Sequence, residues 1–300
     1  MKRFKSKKSH SNFVIYLGLF IISMSFTIKY LYSSNKIDED TLIDILINDS
    51  LGNYNKKISE VDFILKYALD IDLKKKDKPV ISEKLEKEVI EVNSEPLIYI
   101  YNTHQEEQYK SGFLDSYNVP TNVLIASKIL KEYLKDLGIN ALVEEDSVSE
   151  KLHSLNWKYG YSYRVSRMFL EKAYEENPTL KYFIDIHRDS SVYERTTVEI
   201  DNKNYARLLF VVGLDNPNYE PNLKFAEELR KKLNMFDSKI CRGIMKKSGA
   251  KVNGIYNQDF NDKVILIEVG GQYNNIKEVN NSLQVLANVL VEYIKEDQNE

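Results

Sequence analysis

The sequence predicts an α/β domain with a mostly parallel sheet flanked by helices, and two patterns carry that reading. Candidate strands (97–102, 140–144, 182–187, 195–200, 206–213 and 263–268) are separated by longer segments with apolar residues at helical spacing (122–137, about 161–176, 222–235 and 276–295). Strand-then-helix repetition is the signature of parallel strands joined by crossover helices. The pattern begins only at Leu97, so residues 96–297 are expected to form the main domain, preceded by a different organisation.

That preceding region starts with a basic cluster, Lys2, Arg3, Lys5, Lys7 and Lys8, followed by the apolar run FVIYLGLFIISMSFTIKYLY at 13–32, whose one charge is Lys29. About 20 residues of helix span roughly 30 Å, the thickness of a bilayer's hydrocarbon core. The basic residues before the run and Asp38, Glu39 and Asp40 after it place residues 1–12 in the cytoplasm as a tail and the bulk of the chain outside. The run is longer than a signal-peptide core and lacks a small-x-small cleavage site, so an uncleaved transmembrane anchor is expected. Residues 33–95 are charged; TLIDILIND and VDFILKYALDIDL have helical spacing, and KKKDKP breaks it. They read as a short helical stalk and linker.

Within the main domain, helix 122–137 is the most sharply written. Val123, Ala126, Leu130, Leu134 and Leu137 form one stripe, Asn122 or Thr121 caps the start and Gly138 stands at the end. The net charge of −3, with no basic excess, argues against nucleic acid as a partner. Cys241 is the only cysteine, which excludes an internal disulfide; it reads as a small core residue. No phosphate-binding glycine loop or nucleophile elbow is present.

Three apolar runs end in chemistry-bearing residues: His104 follows LIYIY, His187 ends YFIDI and Glu268 ends VILI. Ligands of open α/β sheets bind beyond the carboxyl ends of the strands. Parallel neighbouring strands would bring the three together. His104 and Glu107 form an H-x-x-E pair that on a turn faces one point, and His187 completes a His₂Glu set with an open position, the complement of catalytic zinc. Glu106, Asp185 and Asp146 are competing oxygen donors, with Asp185 better suited to supporting His187. Glu268 is left as general base and acid. Arg188 is placed to bind a carboxylate or a tetrahedral oxyanion, with a salt bridge to Asp189 as its plain alternative. Glu268 likewise has a structural alternative as partner of Arg188. The double glycine at 270–271 reads as a tight turn, and His153 as a surface residue.

The segments YIYNTHQEEQY, YFIDIHRDS and GIYNQDF…VILIEVGGQYNN resemble the stage II sporulation protein P family, over about 96–296. The resemblance implies a membrane-anchored, zinc-dependent N-acetylmuramoyl-L-alanine amidase that cuts peptidoglycan during engulfment of the forespore, with cross-link endopeptidase activity also attributed to the family. It implies stage II sporulation proteins D and M as partners. His104 and His187 match the family's metal histidines, Glu268 its catalytic glutamate, and Glu107 the acidic position three after the first histidine. The doubled Glu106–Glu107 leaves the third ligand open. Two other readings share the features: a non-catalytic wall-binding scaffold, and a zinc carboxypeptidase acting on stem peptides.

Overall fold

The structure is a computed structural model, described here over residues 95–110 and 121–299. The expected tail, anchor and stalk at 1–12, 13–32 and 33–95 lie outside the described residues apart from the last position. Among the described residues no helix is long and apolar enough to cross a membrane.

In chain order the elements are β1 (Ile98–Tyr101), α1 (Val123–Asp136), β2 (Ala141–Val143), α2 (Val148–Ser154), a 3₁₀ turn (Tyr159–Tyr161), α3 (Ser162–Glu176), β3 (Tyr182–Asp189), the single-turn α4 (Tyr193–Thr196), β4 (Thr197–Ile200), β5 (Lys203–Ala206), β6 (Leu208–Gly213), α5 (Glu220–Phe236), β7 (Cys241–Lys247), β8 (Val264–Gly271) and α6 (Ile276–Asp297). Six strands form one sheet in the order β2-β1-β3-β8-β6-β7, and β4 pairs with β5 as a separate hairpin. The β2-β1-β3-β8 half is parallel throughout. The sheet then reverses: β6 runs antiparallel to β8, and β7 runs parallel to β6. The expected mostly parallel α/β sheet is therefore present, with a two-strand reversed edge that apolar patterning does not reveal.

β1, β3, β6 and β8 are buried on both faces over most of their length, which explains their near-continuous apolar runs. Because successive side chains alternate, each strand feeds two cores. Ile98, Ile100, Tyr182, Ile184, Ile186, Ile265, Ile267 and Val269 join α1, α5 and α6 in the larger core, whereas Tyr99, Tyr101, Phe183 and Val264 pack with Leu170 and Ala173 of α3 on the other face. Each fully buried aliphatic of this kind contributes about 1.5–3 kcal/mol. The same alternation assigns Asp185, His187 and Glu268 to the α3 face, because they continue the series Phe183–Asp185–His187 and Val264–Leu266–Glu268.

The capping expectations hold locally. The Asn122 side chain accepts from the Ile125 N–H at the start of α1, and Gly138 past its end has φ +87°. Helix α6 starts with a full capping box between Asn275 and Glu278. The double glycine is not a turn but the end of β8. Gly270 has φ +66°, and a Cβ there would lie 2.6 Å from Asn274 Oδ1 and 2.7 Å from the Ala206 Cβ. At the same point the β3–β8 register slips between His187 and Asp189.

Candidate metal centre

β1, β3 and β8 are adjacent and parallel, so the three strand ends singled out in the sequence do meet. His187 and Glu268 are register partners and project to the same face. His104 arrives from the turn after β1, where the Glu107 N–H donates to the His104 carbonyl oxygen at 3.0 Å. That turn swings both side chains back toward β3.

His104 Nδ1 lies 3.8 Å from Glu107 Oε1, and His187 Nδ1 lies 3.4 Å from Glu107 Oε2. One donor atom from each of the three residues falls within 4.8 Å of the others. Nitrogen and oxygen ligands about 2 Å from a common tetrahedral ion stand roughly 3–4 Å apart. The donor set therefore fits zinc with small adjustments. Glu106 and Asp146 are exposed and stay out of the cluster. Asp185 stands behind it, fully buried, with Oδ1 3.0 Å from His187 Nε2. A carboxylate on the far ring nitrogen fixes the orientation of a ligating imidazole.

Asp185 is itself held. It accepts from the Thr103 N–H at 2.9 Å and from the Thr103 hydroxyl at 2.7 Å. Thr103 Oγ1 lies 2.8 Å from Ser166 Oγ, which also accepts from Asn257 Nδ2 at 2.9 Å. This buried network ties β1, α3 and the 253–260 loop to one carboxylate. Sequence reading missed Thr103, Ser166 and Asn257, since small polar residues give no signal until burial is known.

Charge follows from these contacts. Burial opposes ionisation of Glu107, but interactions with His104 and His187 and the Arg188 N–H, 3.0 Å from Oε2, outweigh it and hold the carboxyl well below the usual range. Burial likewise opposes the charged form of His187, yet Asp185 and then Glu107 raise it well above an ordinary imidazole. Glu268 behaves differently. Burial pushes it up to about 7, His187 pulls it back only in part, and its Oε2 has no hydrogen-bond partner.

Arg188 faces the cleft, but neither structural alternative for it appears. Its Nε donates to the Gln108 carbonyl oxygen at 3.0 Å, while Asp189 pairs with Arg242 at 2.6 Å. The cleft has a volume of about 240 Å³, with His104, Glu107, Tyr159, Ser162 and Arg188 on its walls. Tyr159 stacks on His104 with centroids 4.9 Å apart, and Tyr163 lies parallel to His187 at 6.5 Å. These tyrosines were also unassigned from sequence, although the run YGYSY is conspicuous. Cys241 is buried and free, and His153 is exposed at the end of α2, both as expected.

A family profile described as Stage II sporulation protein P (SpoIIP) matches residues 34–291. The chain belongs to that family. It is 35% identical over 202 residues to Stage II sporulation protein P of Bacillus subtilis (strain 168), a match covering 65% of this chain and 50% of that protein. The chain thus spans about half the length of the curated relative it matches. Among solved structures, the N-acetylmuramoyl-L-alanine amidase AmiC2 of Nostoc punctiforme overlaps 66% of this chain and 97% of its own, with 14% identity and a TM-score of 0.37. The CwlD amidase of Clostridioides difficile, solved with the GerS lipoprotein, overlaps 67% and 97% at 15% identity and a TM-score of 0.38. Likenesses that distant carry no functional argument for this chain.

Proposed function

We propose that the protein is a zinc-dependent peptidoglycan hydrolase that cleaves the amide between the lactyl group of N-acetylmuramic acid and L-Ala of the stem peptide. The observation that carries this is the convergence of His104, Glu107 and His187 at the sheet edge, with Glu268 beside His187. A zinc ion bound there supplies Lewis acidity toward the scissile carbonyl and a lowered pKa for its water. His104, Glu107 and His187 would hold the ion, and Asp185 would steady the His187 ring. Glu268, buried and lacking a partner for Oε2, takes a proton from the attacking water and passes it to the departing L-Ala nitrogen. Arg188, its guanidinium steadied by the Gln108 carbonyl, faces the cleft where a substrate carboxylate or the developing oxyanion lies.

In this reading the 13–32 run anchors the chain with its catalytic domain, 96–297, outside the membrane, and 33–95 supplies reach. The enzyme works on the wall during sporulation engulfment, alongside stage II sporulation proteins D and M, and cuts cross-links as a secondary activity. The test is product analysis of isolated peptidoglycan digested by the full chain with zinc. Glycan bearing new lactyl carboxylates together with stem peptides bearing free L-Ala amines supports the amidase. Released C-terminal amino acids would indicate a carboxypeptidase instead, and retention on the wall without any cut a scaffold.

A further inference from the structure

Beside the metal centre lies an exposed aromatic surface that neither the fold nor the metal site requires. Trp157 is 37%, Tyr159 63% and Tyr161 42% exposed. Single exposed aromatics are ordinary, but three within five residues form a patch, and such patches mark binding surfaces. Trp157 and Tyr161 rings sit 5.5 Å apart, and the Arg164 guanidinium lies 5.0 Å over the Tyr161 ring and braces it. Tyr159 lines the cleft and stacks on His104. Two residues of chain reach at most about 7 Å, so the backbones of Trp157 and Tyr161 lie within that distance of Tyr159 on the cleft wall.

We infer that Trp157, Tyr159 and Tyr161 form a glycan subsite that takes the sugar ring carrying the scissile lactyl amide. The inference rests on the amidase reading for its substrate. In that substrate the carbonyl under attack is only an ether link away from a pyranose ring. Whichever surface flanks the metal on the acyl side must accept that ring. A pyranose offers a flat C–H face, which an open aromatic surface covers well, while its hydroxyls and N-acetyl group stay in water. The stem peptide, which carries carboxylates, is better matched by the Arg188 side of the same cleft.

Trp157 is the only tryptophan in the chain, so intrinsic tryptophan fluorescence reports this surface directly. Peptide-free N-acetylglucosamine oligomers titrated into the full chain should shift or quench that fluorescence saturably. Tyr161→Ala should weaken the response at least tenfold with an unchanged melting temperature, and Tyr161→Phe should restore it. A kinetic arm compares a disaccharide muropeptide with the same lactyl-peptide lacking sugar. Tyr161→Ala should raise KM several-fold for the first, leave kcat unchanged and leave the second unaffected. No fluorescence response, equal affinity in wild type and Tyr161→Ala, or an equal loss on both substrates would overturn the subsite. If the wild type cuts neither substrate, the amidase reading fails, and the fluorescence titration still decides whether the pad binds glycan.

Discussion

Asp185 and His187 stand two residues apart on β3, and Oδ1 of the first lies 3.0 Å from Nε2 of the second. The other ring nitrogen, Nδ1, faces Glu107 at 3.4 Å. The strand's alternation puts both side chains on one face, and Thr103 and Ser166 lock the carboxylate in place.

Asp185→Asn should therefore weaken zinc binding without removing any ligand. Partners of this kind typically contribute about 10–100-fold in metal affinity. Competition titration against a chelating dye checks this, and an unchanged affinity would mean that the contact does not orient His187.

Glu268→Gln separates catalysis from metal binding. The amide keeps the shape of the side chain but cannot take a proton. Peptidoglycan cleavage should fall by roughly 10²–10⁴-fold, as for loss of a general base. Zinc stoichiometry, measured on the same samples by elemental analysis, should be unchanged. Loss of zinc in this variant would make Glu268 a ligand rather than the base.

The same carboxyl predicts a pH dependence of stability in the metal-free protein. Its value is about 7 in the fold against 4.5 unfolded. Below pH 4.5 it is neutral in both states and costs nothing. Between pH 4.5 and about 7 the unfolded chain ionises while the folded one resists, so stability falls as pH rises, then levels off. A gap of about 2.5 pH units corresponds to on the order of 3 kcal/mol. Urea unfolding in chelator from pH 4 to 8 should show this fall in wild type relative to Glu268→Gln. A constant difference between the two proteins would mean that the carboxyl is not buried as described.

At α6, Asn275→Ala removes the side chain that accepts from the Glu278 N–H and breaks a reciprocal cap. The expected cost is about 1 kcal/mol. Thermal melts read it, and zinc affinity should not move, because the cap lies outside the donor cluster.

The strands that build the site were readable because each is a mainly apolar run, broken in β3 only by Asp185, followed by polar residues, and all three of β1, β3 and β8 appear where those runs predict. So does the convergence of His104, Glu107 and His187, which needed only parallel neighbours. β7 was missed: CRGIMKK mixes polar and apolar residues because it is the sheet's edge, and Gly243 at φ +118° interrupts it. α2 escaped because seven residues are too short for a helical period to register. The reversal at β6 left no trace, since apolar patterning carries burial and not direction. Tyr159 and Tyr163 were passed over because their role depends on which rings they stack against, a relation that exists only once α3 has folded over β3.

The most direct measurement is calorimetric titration of zinc into the metal-free full chain and into His104→Ala and His187→Ala. The account predicts one zinc per chain for wild type, with affinity at least 100-fold weaker in each variant and peptidoglycan cleavage lost alongside. Wild-type affinity retained in both variants would place the metal elsewhere and contradict the site at the end of β1, β3 and β8.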